Sequence, residues 1–423
     1  MTDAVQKHRV LVSAYACNPY KGSEEGVGWN WLKIIAEIAE PHVLVASFHR
    51  ADIEHYLAVH PSALKNVTFV YVPHRWWHYQ PTPGWKRIEA SMLKPIMNIA
   101  YALWLRDAFK LARQLHQTEQ FDLTHQLTYV GFRFPGRLWK MGPPFIWGPV
   151  GGLENTPWRF LGVLGFRGAV YYAGRNLINS VQRLMLRSSR KAFRKARTVI
   201  AATGGIQQEI KRWYGVDSHV ICEVGPPESI AGTVLRRRPG EPLRLVWSAA
   251  HLPGKALPLL LKALVKLRSD LSWQLDILGK GPSGSAWRKL AVELGIADRC
   301  HWHGNLPRDE ALMLMGRGHL FVITSLKDLT STVLLEALSL GLPVVCPDHC
   351  GFSDVVDSSC GYKLPVKSPE ALIQAYSEVI DKLAGDEQQR QKLAKGALCR
   401  AAIFSWERKQ VELEAIYMEA LVR

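Results

Sequence analysis

The stretch from Phe321 to Pro347, FVITSLKDLTSTVLLEALSLGLPVVCP, constrains the fold more than any other part of the chain. Phe321-Val322-Ile323 is an apolar run of the length of a strand buried on both faces. A hydroxyl-rich loop, Ser325 to Thr332, follows with Asp328 at its centre, and Thr330, Ser331 and Thr332 are all able to cap a helix. Val333 to Leu338 continue that helix, Gly341 ends it, and Pro343-Val344-Val345 opens the next strand. The helix opens at the carboxyl end of a parallel strand, so unpaired N–H groups and the positive end of its dipole face the ligand crevice. Asp328 and Glu336 stand eight residues apart, a little over two turns, and bracket that helix start. An anion-binding helix end between two hydroxyl-seeking carboxylates suits a sugar attached to a phosphate.

The same residues resemble the Glu-x7-Glu signature of the family 4 retaining glycosyltransferases, whose fold is called GT-B. Here the signature stands as Asp328-x7-Glu336, followed by Ala337-Leu338 and Gly341-Leu342-Pro343-Val344-Val345. The first carboxylate is therefore one methylene shorter. The resemblance implies an α/β chain of two Rossmann-like, doubly wound domains with a deep cleft between them. Residues 1–222 would bind the acceptor and 223–404 the nucleotide sugar, with a helix over 405–423 crossing back to the first domain. It also implies that Glu336 holds the donor ribose, that Asp328 holds sugar hydroxyls, and that the N–H groups of Thr332 and Val333 face the diphosphate.

Other segments carry the resemblance along the chain. Val10 to Ala14 reads as a first strand and Tyr20 to Gly28 as a glycine-rich loop before a helix from Trp29 to Ile38. By resemblance, Gly22 approaches the donor, while Ser23 and Glu24 belong to the acceptor side. Asp122 to His125 is a strand ending in a histidine, the position from which the family delivers a His to the donor sugar. Pro144 to Trp147 is another strand; the loop Gly148 to Glu154 after it resembles the family's acceptor-side loop, with Glu154 its acid. Val220 to Pro227 has the composition of an interdomain crossing. In the second half, Lys255 matches the family's diphosphate lysine, but Ala250 stands where relatives carry its arginine, leaving His251 or another arginine to substitute. Gly279-Lys280-Gly281-Pro282 resembles a Gly-x-Gly-Pro donor turn; Asn305-Leu306 lies on the loop that approaches the base, and Gly351 on a loop facing the donor sugar. No Asp-x-Asp occurs, so neither a bound metal nor a cofactor is expected, and a lysine with a helix dipole would take the metal's part.

Charge adds a partner. Residues 1–225 carry 28 Lys and Arg against 15 Asp and Glu, whereas the rest carries 25 against 22. From Asn155 to Gln208 there is no acid and there are ten basic residues, interleaved with bulky apolar ones at helical spacing. Pro73 to Trp85 adds Trp76, Trp77 and Trp85 beside His and Arg. Such a mixture suits an anionic bilayer surface better than nucleic acid, for which no binding module is present. The longest clean apolar run, Ile99 to Leu105, is too short to span a bilayer, and the polar Met1 to Arg9 does not read as a secretory leader. The seven cysteines form no Cys-x2-Cys pair and read as reduced thiols, Cys346 and Cys350 making a poor metal pair.

These observations lead us to expect a metal-independent, retaining glycosyltransferase on the inner face of a cytoplasmic membrane. It would move a sugar from a UDP- or GDP-linked donor to a lipid-linked or saccharide acceptor. Alternatives are an epimerase or phosphorylase of the same fold, or a non-catalytic membrane- or nucleic-acid-binding relative.

Overall fold

The computed structural model describes residues 7–73, 90–227, 230 and 232–422; Trp76, Trp77 and Trp85 lie outside them. Two parallel sheets organise the chain. The first contains β1 (Arg9–Ala14), β2 (Glu40–Ala46), β3 (Thr68–Val72), β4 (Leu123–Thr128), β5 (Phe145–Val150), β6 (Thr198–Ala201) and β7 (His219–Val220), in the order β3-β2-β1-β4-β5-β6-β7. The second contains β8 (Leu243–Ser248), β9 (Trp273–Leu278), β10 (Cys300–Gly304), β11 (Leu320–Val322), β12 (Val344–Pro347) and β13 (Gly361–Leu364), in the order β10-β9-β8-β11-β12-β13. Helices cover both faces, which is why β4, β5 and β12 are buried along their whole length. The architecture is the two-domain doubly wound GT-B fold that the resemblance implied.

In each sheet the strand order reverses once, between β1 and β4 in the first and between β8 and β11 in the second. Loops that leave the carboxyl ends of neighbouring strands at such a point diverge and open a crevice. Here the two crevices face each other, because residues following β1, β4 and β11 line one common cavity.

One helix departs from its expected start. It runs Ser23–Ile38, so part of the supposed loop is helical. Glu24 and Glu25 in its first turn suit the dipole. The glycines serve close packing: a Cβ at Gly28 would come within 2.0 Å of the Ala16 carbonyl oxygen.

The crossing between the sheets is pinned from two sides. Trp31 Nε1 donates to the Glu223 carbonyl at 2.9 Å, and Lys409 Nζ donates to the carbonyls of Cys222, at 2.9 Å, and Val224. Lys409 lies on the Trp406–Val422 helix, which packs on Ser23–Ile38 and buries Leu413, Ile416 and Tyr417 among others. Buried among carbonyls, its ammonium is held below the usual lysine range. A cross-domain bond closes the other side, where the Gly204 N–H donates to Asp354 Oδ2 at 2.7 Å.

Candidate active site

Two cavities share the space between the domains. The first, of about 450 Å³, is bounded by Gly22 and Ser23 from one domain, Arg308, Thr332 and Glu336 from the other, and Glu223 at the crossing. Thr332–Ser339 is a helix whose N-cap, Ser331, is extended and makes no side-chain cap bond. Thr332, its first residue, lines this cavity, so the N-terminal dipole end is turned toward it. Glu336, mostly buried, is paired with Arg308 at 3.2 Å. Burial raises its carboxyl pKa and Arg308 opposes the rise. Arg308 went unnoticed in the sequence, although it follows Asn305-Leu306-Pro307 directly. Asn305 is exposed and Leu306 half-buried just beyond β10. Val333 packs on the core, so only its backbone is at issue. Ser23, which the resemblance put on the acceptor side, lies beside Gly22 in this same cavity.

Asp328, on the loop that leads into the Thr332–Ser339 helix, forms an ion pair with Lys255. Lys255 ends a short turn, Pro253–Lys255, and Thr324 Oγ1 donates to its carbonyl at 2.6 Å. Asp328 Oδ1 accepts from the Leu329 N–H at 3.1 Å, and Glu223 Oε1 from the Thr330 N–H at 2.7 Å. The loops after β8 and β11 and the interdomain crossing are thus joined in one network. Burial pushes the Glu223 carboxyl up to about 8.

The second cavity, of about 520 Å³, is bounded by Glu24, Val130, Arg133, Arg175, Lys327 and Asp328, among others. A Glu24 carboxylate oxygen accepts from the Val130 N–H, and burial raises that carboxyl to about 7. Glu154 does not line the cavity. Its carbonyl accepts from Lys327 Nζ, and its carboxylate fills the space beside Gly205, whose Cβ would lie 2.1 Å from Oε1. It positions Lys327.

His125 is corrected more sharply. It is fully buried in β4, its Nε2–H donating to the Gly148 carbonyl at 2.8 Å and its Nδ1 accepting from the Tyr417 hydroxyl at 2.7 Å. Burial lowers its pKa to about 4, so it stays neutral, and both nitrogens are occupied. It ties the first sheet to the C-terminal helix and offers no bond to a sugar. Nor does His251 replace the arginine missing at position 250, because its ring is buried among Trp247, Trp287 and Trp302. Gly281 and Gly351 are sites of close approach. Side chains there would meet the His251 carbonyl oxygen at 2.6 Å and Thr330 Oγ1 at 1.9 Å. All seven cysteines are free, and among the described residues no group of three or more His, Cys, Asp and Glu could hold a metal ion.

A two-domain GT-B protein with one cavity shared by the crevices of both sheets is the class that this geometry defines. Residues 236–398, which include Lys255, Asp328 and Glu336, match the family "Glycosyl transferases group 1". The chain is 26% identical over 179 residues to an MMP alpha-(1->4)-mannosyltransferase of Mycolicibacterium hassiacum, covering 42% of this chain and 43% of that one. It is 30% identical over 235 residues to a D-inositol 3-phosphate glycosyltransferase of Frankia alni, covering 49% and 55%. The chain spans about half the length of the curated relatives it matches. Among solved structures, a sucrose-phosphate synthase of Thermosynechococcus elongatus superposes with a TM-score of 0.67 at 15% identity, covering 98% and 100% of the two chains. HepE of Anabaena, in complex with UDP, superposes at 0.63 and 15%, covering 97% and 99%.

Proposed function

We propose that the protein transfers a sugar from a nucleoside diphosphate to an acceptor hydroxyl, with retention at the anomeric carbon and without a metal ion. The observation that carries this reading is the mostly buried Lys255–Asp328 pair, whose aspartate lines the second cavity on the loop that leads into Thr332, which lines the first. A diphosphate leaving group develops about two negative charges, and preorganised cations and N–H groups stabilise such charge most. Lys255 and the helix start at Thr332 supply them, Asp328 takes sugar hydroxyls, and Glu336 with Arg308 takes the ribose. Relatives named as inositol 3-phosphate glycosyltransferases and the UDP bound to HepE support the reading and make UDP-sugars the first donors to try. The test is donor-dependent nucleotide release with a panel of UDP- and GDP-sugars, with and without EDTA. Absence of release with every donor, or its loss on chelation, would falsify the corresponding part.

The acceptor is proposed to be lipid-linked and reached from an anionic membrane surface. In the Gly165–Met185 helix the usual arrangement is inverted. Its inward face is polar: Asn176 exchanges hydrogen bonds with the Thr156 backbone at 2.8 and 3.0 Å, and Asn179 donates to the Leu153 carbonyl at 3.0 Å. Its outward face carries Phe166 (85% exposed), Val170, Leu177, Val181, Leu184 and Met185 (71% exposed), spaced as one helical stripe. The Arg187–Lys195 helix follows with five basic residues and no acid. Inserting one such apolar side chain is worth about 1.5–3 kcal/mol at most, and each nearby basic residue about 1 kcal/mol against an anionic leaflet. Among the described residues no helix is long and apolar enough to cross a membrane. Co-sedimentation with anionic vesicles should fall when Phe166, Leu177 and Val181 are changed to Ser. It should become salt-insensitive when Arg187, Lys191 and Arg194 are changed to Glu. Equal recovery in the supernatant with anionic and neutral vesicles would point to a soluble acceptor.

A further inference from the structure

The second cavity holds more positive charge than the transfer reaction uses. Arg133 and Arg175 reach it from the first domain and Lys327 from the second. The hydrogen-bond partners of two of them are neutral. Arg133 donates through Nε to Gln182 Oε1 and through Nη2 to Asn179 Oδ1 at 2.7 Å, and Lys327 donates to the Glu154 carbonyl. The acids nearby are already occupied. Asp328 is paired with Lys255; Glu24 accepts from Val130 N–H; the Glu154 carboxylate packs beside Gly205 and only partly offsets Lys327. We infer that Arg133, Arg175 and Lys327 form a binding site for a phosphate group carried by the acceptor, with the sugar-accepting hydroxyl directed toward Asp328. This rests on the transfer reading and extends it to the chemical class of the acceptor.

Two further observations agree. Burial and the neighbouring Arg175 hold Arg133 down to about 10 and Lys327 down to about 8, the pattern of cations crowded together with too little counter-charge. A dianion placed among them would relieve that crowding through charge-assisted, bidentate contacts. The route also fits. Arg175 lies on the Gly165–Met185 helix, so the helix with the apolar outer stripe also delivers a cation to the cleft. A phosphate at the head of a lipid and a phosphate on a soluble molecule present the same chemistry to this site.

The full chain, saturated with whichever of UDP or GDP it binds so that the Lys255 side is filled, is titrated calorimetrically with inorganic phosphate and with sulfate. Binding is expected to weaken at least about tenfold in Arg175→Gln and in Arg133→Gln, with partial recovery in Arg175→Lys. Sulfate stays a dianion across the neutral range, so its affinity should fall as pH rises through about 8, where Lys327 loses its proton. Equal anion affinity in the wild type and both glutamine variants overturns the site. If neither nucleotide binds, it is the transfer reading that fails, and the same variants still test the anion site in nucleotide-free protein. Free glycerol phosphate and neutral vesicles carrying a polyprenyl phosphate then separate the two sources of the phosphate.

Discussion

Asp328 and Glu336 flank one helix start and each meets a cation, yet the two pairs are built differently. The side chains of Lys255 and Asp328 are 16% and 19% exposed, and both come from loops locked to each other. Glu336 is equally hidden at 14%, but Arg308 is 63% exposed. A cation on the surface gains little from its carboxylate, roughly 0–1 kcal/mol, because water and salt screen the pair and holding a long side chain still has an entropic cost. Arg308 can therefore leave Glu336 for a ligand phosphate or base at small expense. Lys255 cannot leave its place so cheaply, and a charge fixed before the substrate arrives is the kind that stabilises a transition state. One helix start thus carries a buried ion pair on one side and a half-exposed one on the other.

The largest effect should follow from breaking the fixed pair. Lys255→Met is expected to lower kcat by about 10²–10³ while changing donor KM much less, because in the proposed reaction its charge would act on the leaving diphosphate. A loss confined to KM would place Lys255 with the Glu336–Arg308 pair instead. Glu336→Gln should raise donor KM by about 10–100-fold, the equivalent of one charge-assisted hydrogen bond of ~1.5–3 kcal/mol. Arg308→Gln should raise it by less than about fivefold and reduce its dependence on salt. Equal effects of the two substitutions would mean that Glu336 and Arg308 act only as a pair, and the contrast drawn between them would fall.

What was legible in the sequence follows the same division. The fixed pair and Glu336 lie within short, locally patterned segments, where strand, hydroxyl-rich loop and helix follow one another in a fixed order. Arg308 was missed because nothing local ties it to a carboxylate 28 residues away. His125 satisfied a sound local rule, a histidine in a strand near its carboxyl end, but its partner Tyr417 is 292 residues distant and only the returning helix reveals it. The apolar stripe of Gly165–Met185 has the same period whether it faces core or solvent; the polar inner face, with Asn176 and Asn179, distinguishes the two. The cations of the second cavity come from three segments that no spacing relates. Ser23 and Glu24 illustrate the finest limit. They are adjacent, but the helix start sends them to different cavities.

A third carboxylate, Glu223, differs from Asp328 and Glu336 in being buried at the crossing with no salt-bridge partner among the described residues. Glu223 accepts from the Thr330 N–H, while the carbonyls of its neighbours Cys222 and Val224 take Lys409. Its carboxyl pKa is raised by burial to about 8 from an ordinary value of 4.5. The folded state therefore binds this proton more tightly than the unfolded state. The associated stability is complete below the unfolded value and is lost as pH rises through the folded one. For one group the slope is at most about 1.4 kcal/mol per pH unit. Glutamine keeps an oxygen to accept from Thr330 and has no proton to lose, so Glu223→Gln should flatten the decline in urea midpoint between about pH 5 and 8. Parallel pH profiles for wild type and variant would show that the Glu223 proton contributes nothing to the stability of the crossing.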